Sequence, residues 1–138
     1  MIYRTLLLED DENIRKMLSM LLGRRGHEVV SFDSPLRCPY LDWSSCSCSL
    51  DEPCFDFLIS DNMMPGMTGL EFLELQVQRG CRLDGSHKAL MTGFLHEEMI
   101  TTAAKLDCRI FGKPLNWGGF SSWLAKGESE IQRAVLND

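Results

Sequence analysis

Hydrophobic and polar positions along the chain alternate between two periods. Residues 4–8 (RTLLL) form a short apolar run that predicts a buried strand. Apolar side chains then recur at Ile14, Met17, Leu18, Leu21 and Leu22, the spacing of a helix with one apolar face. Gly23 and Gly26 bracket its end, and Arg24 and Arg25 suit its negative pole. Residues 28–32 (EVVSF) predict a second strand, 55–60 (FDFLIS) a third, 88–92 (KALMT) a fourth and 109–112 (RIFG) a fifth. Between them, residues 69–79 read as a helix with Leu70, Leu73 and Val77 on one face. Residues 96–106 read as another, with Met99, Ile100, Ala103 and Ala104 turned inward. Trp117, Phe120, Trp123 and Leu124 stand at helical spacing near the end. Gly127 is expected to interrupt that helix, leaving 127–138 as a tail or a further short helix.

Strands alternating with helices predict an α/β domain, a parallel sheet covered on both faces and joined by right-handed crossovers. The domain is expected to span residues 1–126. One segment breaks the pattern: residues 36–54 carry Cys38, Cys46, Cys48 and Cys54 among prolines and serines, and no regular helix is assigned there.

In doubly wound sheets the functional crevice lies beyond the carboxyl ends of the strands. Here those ends carry polar residues. Strand one runs into Asp10 and Asp11, strand three ends in Asp61, strand four in Thr92, and strand five is followed by Lys113. Three clustered carboxylates repel one another without a cation. An all-oxygen acidic set suits Mg²⁺. A lysine and a hydroxyl beside it suit a phosphoryl group, and an aspartate so placed can be the nucleophile that receives it.

The strings LLLEDDE, LISDNMMPGMTGLEFL, ALMTG and FGKP, in this order and each at a strand end, resemble the receiver domains of bacterial two-component response regulators. The resemblance covers roughly residues 3–125, apart from 36–54. It implies a flavodoxin-like, doubly wound sheet of five parallel strands in the order 2-1-3-4-5, with the second helix replaced or altered by the cysteine-rich segment. It implies a phosphorelay switch rather than an enzyme. Asp61 is then the phosphoacceptor, and Asp10, Asp11, Asp61 and the Met63 backbone carbonyl hold Mg²⁺. Thr92 supplies the hydroxyl that turns toward the phosphoryl group, Lys113 pairs with that group, and Pro114 follows a cis peptide bond. The implied donor is a sensor histidine kinase or a phosphotransfer protein; the output protein is not named by the sequence. Three positions depart from the family pattern. Ile110 stands where an aromatic switch residue is usual, with Phe111 next to it. Bulky Met63 and Phe94 stand at the two positions flanking the phosphoryl group.

A formal net charge of −6 argues against a nucleic-acid surface, and no apolar run is long enough to span a membrane. A cytoplasmic protein is expected, acting alone or as a fragment of a longer chain, with no output module after the domain. The cysteine spacing Cys38-x7-Cys46-x-Cys48-x5-Cys54 lacks paired CxxC knuckles. Structural zinc, a disulfide or redox switch, and unbridged thiols all stay open there. A metal- or redox-binding interaction module built on that segment is the alternative function. A Mg²⁺-dependent phosphatase would need a second aspartate at position 63, where Met63 stands. Cys81 and Cys108 read as isolated buried thiols, and His27, His87 and His96 as surface or strand-edge residues.

Overall fold

The computed structural model describes residues 2–37 and 54–136. Five parallel strands, β1 (Tyr3–Leu8), β2 (His27–Phe32), β3 (Phe57–Asp61), β4 (Lys88–Thr92) and β5 (Arg109–Gly112), form one sheet in the order β2-β1-β3-β4-β5. The expected 2-1-3-4-5 order is the observed one. Four helices are described: α1 (Glu12–Arg24), α2 (Gly69–Gln78), α3 (Glu97–Lys105) and α4 (Trp117–Leu136). Between β2 and β3 the described residues hold only a single 3-10 turn, Pro35–Arg37. Most of the cysteine-rich segment lies outside the described residues.

The period-two alternation of the strands sorts the core into two layers. Leu6, Leu8, Leu58 and Leu90 point to one face, where Phe72 and Leu73 of α2 and Met99 and Ala103 of α3 cover them. Leu7, Phe57, Ile59, Ala89, Met91 and Phe111 point to the other, under Leu18 and Leu22 of α1 and Phe120, Trp123 and Leu124 of α4. Near-continuous apolar runs such as LLL are the expected signature of strands buried on both faces.

Several expectations need correction. The final helix does not break at Gly127 but runs on to Leu136. A glycine weakens a helix interior by roughly 1 kcal/mol, yet Gly127 is buried, and a Cβ there would sit 2.6 Å from the Phe57 ring. The missing side chain lets the helix lie directly on that ring, and the packing outweighs the propensity. On α3, Ile100 and Ala104 face outward while Met99 and Ala103 face in, so the buried stripe is narrower than the spacing suggested. Met17 and Val77 are likewise exposed. Cys81 is half-buried, whereas Cys108 is buried, as expected, and burial pushes its thiol up to about 12.

His27 begins β2, an outer strand of the sheet, but it is not exposed there. Its side chain is fully buried, with Nδ1 2.6 Å from the Thr5 hydroxyl and Nε2 2.7 Å from a Glu128 carboxylate oxygen. The Arg25 guanidinium donates to both oxygens of the same carboxylate. Glu128 thus holds two cationic or polar donors at once, and it ties α4 to the turn between α1 and β2. Removing one partner of such a set leaves the others desolvated and unmatched, which costs about 1–3 kcal/mol. Glu128→Ala is therefore expected to lower stability by about 2 kcal/mol in urea unfolding monitored by tryptophan fluorescence. An unchanged midpoint would show that the network contributes nothing net.

Candidate functional site

The register of the sheet assembles the site. Leu8 pairs with Ser60, Asp61 with Met91, and Thr92 with Gly112. The next residues along β1 and β5 are Glu9 and Lys113, so the carboxyl edge presents Glu9, Asp61, Thr92 and Lys113 side by side. Glu9 is fully buried and Asp61 nearly so. Lys113 Nζ lies 2.9 Å from Glu9 Oε1 and 3.2 Å from Asp61 Oδ1. Carboxylate oxygens of Glu9, Asp10 and Asp61 all lie within 4.8 Å of one another.

Glu9 belongs to this cluster and Asp11 does not. Asp11 is the N-cap of α1: its Oδ1 accepts from the backbone N–H groups of Asn13 (2.9 Å) and Ile14 (3.1 Å). Asp10 and Asp11 are the acidic pair expected from the sequence; in the structure it is Glu9 and Asp10 that stand with Asp61, while Asp11 caps α1. Because β1 stops at Leu8, the first two residues past the strand are Glu9 and Asp10. The helix that begins at Glu12 takes Asp11 for its own first turn. That capping preference, together with the last apolar residue of the strand, was the available signal. Arg15 reaches back from α1 to donate to the Glu9 carbonyl at 2.8 Å, which pins this tight turn.

Burial is the largest influence on Glu9 and, aided by the neighbouring Asp61 charge, raises its carboxyl to about 7 against the opposing pull of Lys113. Asp61 is also raised, first by burial and then by the Asp10 carboxyl beside it, while Lys113 pulls the other way. Burial works to lower Lys113, but its contacts with Glu9 and Asp61 outweigh that and hold it above the ordinary lysine value. One ammonium faces three carboxyl groups. Glu9 Oε2 is buried with no hydrogen-bond partner, an arrangement that is costly unless something meets that oxygen. An oxygen-only donor set with an excess of negative charge and an unmatched buried oxygen fits a hard divalent cation such as Mg²⁺.

Thr92 is buried, and its hydroxyl is engaged locally. It donates to the Phe94 carbonyl at 3.0 Å and accepts from the Phe94 N–H at 3.1 Å. The Lys113 N–H donates to the Thr92 carbonyl at 2.8 Å, joining the ends of β4 and β5. The Lys113–Pro114 peptide is cis. Met63 and Phe94 are 60% and 77% exposed, so both stand open to solvent around the edge. Phe111 points into the core, edge-on to Phe120 and Trp123, and Ile110 packs on the opposite layer. Position 110, three before Lys113, thus carries an aliphatic side chain packed on that layer.

Beyond Asp61 the chain turns under tight constraint. Asn62 Oδ1 accepts from the Leu70 N–H at 3.1 Å, and the Gly69 N–H donates to the Asn62 carbonyl at 3.0 Å. A Cβ on Gly69 would sit 2.4 Å from the Asp61 carbonyl oxygen and 2.8 Å from Ser60 Oγ. Thr68 and Glu71 close a capping box that starts α2 at this point.

Zinc at the cysteines finds no support. Among the described residues the group able to hold a metal is Glu9, Asp10 and Asp61, and Cys54 joins no such group. Cys38, Cys46 and Cys48 lie outside the described residues. No described helix is long and apolar enough to cross a membrane.

The structure is thus a doubly wound parallel sheet with a carboxylate and lysine pocket at its carboxyl edge. The chain is 30% identical over 115 residues to the response regulator receiver protein CpdR of Brucella abortus, covering 82% of this chain and 86% of that protein. It is 33% identical over 72 residues to the phosphate regulon transcriptional regulatory protein PhoB of Klebsiella pneumoniae, covering 52% of this chain and 28% of that regulator. Among solved structures it resembles chemotaxis protein CheY4 of Vibrio cholerae, with a TM-score of 0.70 and 23% identity over 91% of this chain and 98% of that one. It also resembles the receiver domain of a LuxO-type repressor from Vibrio parahaemolyticus, with a TM-score of 0.77 and 13% identity over 100% and 98%. No protein-family profile matches the chain. The chain belongs to the receiver-domain family of two-component response regulators.

The close approach of Gly69 to the Asp61 carbonyl makes a specific claim. Gly69→Ala must push α2 away from the end of β3, an overpacking that costs about 1–3 kcal/mol. Thermal unfolding is expected to show that loss, and Mg²⁺ titration of intrinsic fluorescence should show weaker binding in the same variant. Unchanged Mg²⁺ affinity would mean that α2 does not set the position of Asp61.

Proposed function

We propose that this domain is a phosphorylation switch in which Asp61 accepts a phosphoryl group from a phosphohistidine donor on a sensor kinase or phosphotransfer protein. The observation that carries the reading is Asp61 at the end of β3, with Lys113 at 3.2 Å and the carboxyl groups of Glu9 and Asp10 beside it. An Asp61 carboxylate oxygen attacks phosphorus, the donor nitrogen–phosphorus bond breaks, and the imidazole leaves carrying the electron pair. The product is an acyl phosphate.

Glu9, Asp10 and Asp61, with the Met63 carbonyl, would hold Mg²⁺, whose bound charge neutralises phosphoryl oxygens during transfer. The chain's own groups supply the rest. Lys113, now shared by Glu9 and Asp61, is placed to pair with the new phosphoryl oxygens. Thr92 has a hydroxyl able to leave its bonds with Phe94 and donate to the same group. That exchange would pull the β4–α3 loop, which carries the exposed Phe94 and Leu95. Asp11 caps α1 in this scheme and is not needed as a ligand. A partner reading the displaced loop would favour the phosphorylated state by differential affinity.

Incubation with Mg²⁺ and acetyl phosphate or phosphoramidate, followed by intact mass, is expected to show one added phosphoryl group that is lost in Asp61→Ala. Absence of the adduct, with Mg²⁺ still bound, would overturn the assignment of Asp61 as acceptor.

The apolar Met63 and Phe94 side chains are expected to keep water from the acyl phosphate. Met63→Asn and Phe94→Ala should each shorten the phosphorylated lifetime several-fold when dephosphorylation is followed after donor removal. Lifetimes that stay the same or lengthen would exclude this shielding.

A further inference from the structure

The acidic pocket uses none of the side chains at the opposite, amino end of the sheet. There the second half of α4 crosses over the first residues of the strands. Glu128 takes Arg25 and His27, Glu130 takes His87, and Gln132 Nε2 donates to the Tyr3 hydroxyl at 2.6 Å. The helix comes this close because Gly127 rests on Phe57, whose ring stacks on the His87 ring with centroids 5.3 Å apart and planes 15° apart.

The two histidines are engaged differently. His27 has a hydroxyl on Nδ1, which can donate or accept, and a carboxylate on Nε2. A neutral ring with the proton on Nε2 satisfies both contacts. Burial, opposed by Glu128, holds this ring below the ordinary imidazole value. His87 has acceptors on both sides. Its Nδ1 lies 3.1 Å from the Asp56 backbone carbonyl and its Nε2 lies 3.0 Å from a Glu130 carboxylate oxygen. A neutral imidazole carries one N–H and can meet only one of them; the imidazolium donates to both.

We propose that His87 is the proton-operated catch of a latch: protonation fastens the second half of α4 to the amino end of the sheet through Glu130, with the ring anchored on the Asp56 carbonyl. Loss of the proton leaves one of the two contacts without a hydrogen. The charged groups around the ring are Glu130 on α4, Asp56 before β3, Asp84 in the turn before β4, and Lys88 at the start of β4. Asp56 and Asp84 are already committed, the first accepting from the Arg4 N–H and the second from Ser86. Glu128, the next carboxylate along the helix, is held by Arg25 and His27. Glu130 is therefore the group on α4 that answers to His87. A charged ring also gains attraction to the stacked Phe57 face.

The test is amide hydrogen exchange of the full chain at about pH 5.5 and about pH 8, either side of the imidazole range, corrected for intrinsic rates. Protection of residues 128–136 relative to 117–124 is expected to be roughly fivefold greater at the lower pH, the scale of a partly exposed ion pair. In Glu130→Gln, a half-buried position where a neutral isostere keeps the fold, that difference is expected to vanish. His87→Gln should abolish it too, since a glutamine amide does not change protonation between the two pH values. Nitrogen shifts of the His87 ring at the lower pH should report protons on both nitrogens. Equal relative protection at both pH values would overturn the latch. So would a pH response that persists in Glu130→Gln, which would assign it to His27 and Glu128 instead.

Discussion

The carboxyl edge of this domain depends on one ammonium group. Lys113 Nζ stands between Glu9 at 2.9 Å and Asp61 at 3.2 Å, and it is the cation that offsets the buried carboxyl groups of the pocket. Remove it, and Glu9 and Asp61 become adjacent buried acids that cannot both ionise without a large penalty. The arrangement is still incomplete with it. One positive charge against Glu9, Asp10 and Asp61 leaves an excess of negative charge and an unmatched oxygen on Glu9. A pocket that is half neutralised is suited to receiving a divalent cation and then an anion, because neither addition has to displace a finished network.

The sheet register makes that interaction possible, and the register was largely legible in the chain. Parallel strands buried on both faces leave long apolar runs. The point where each run ends in a charged or hydroxylic residue marks the carboxyl edge. KALMT and RIFG coincide with β4 and β5. The order of residues alone therefore suffices to put Thr92, Lys113 and Asp61 at that edge. Glu9 was missed because a run of four acidic residues, Glu9 to Glu12, has no internal punctuation. Which of them belong to the strand end and which to the helix is decided by the N-cap. A capping aspartate looks like any other acid until the first helical residue is fixed.

Other misreadings share a cause: a one-dimensional pattern does not record what lies across the fold. Gly127 is a helix breaker by propensity and a packing contact by position, because Phe57 needs the space a side chain would fill. His27 looks like a surface residue until Glu128, about a hundred residues later, covers it. Ile100 and Met99 are equally apolar, yet only Met99 meets Leu90 and the rest of that layer. Long-range partners decide these cases, and local spacing holds no trace of them.

The two ends of the sheet thus follow one rule with opposite results. At the carboxyl edge, carboxylates outnumber cations, and the surplus is what a ligand can use. At the amino end, carboxylates on α4 meet two histidines and an arginine, and the surplus is consumed within the chain. α4 connects the two: it starts shortly after Lys113 and ends its buried course at Ile131, past Gly127 and Glu130. A helix held at its far end by several polar contacts resists sliding as a whole. Under the proposed phosphorylation, movement following a change at Lys113 would then fall on the exposed loop of Phe94 and Leu95 and on α3. That segment is held to the core through Met99 and Ala103 and shows Ile100 to solvent.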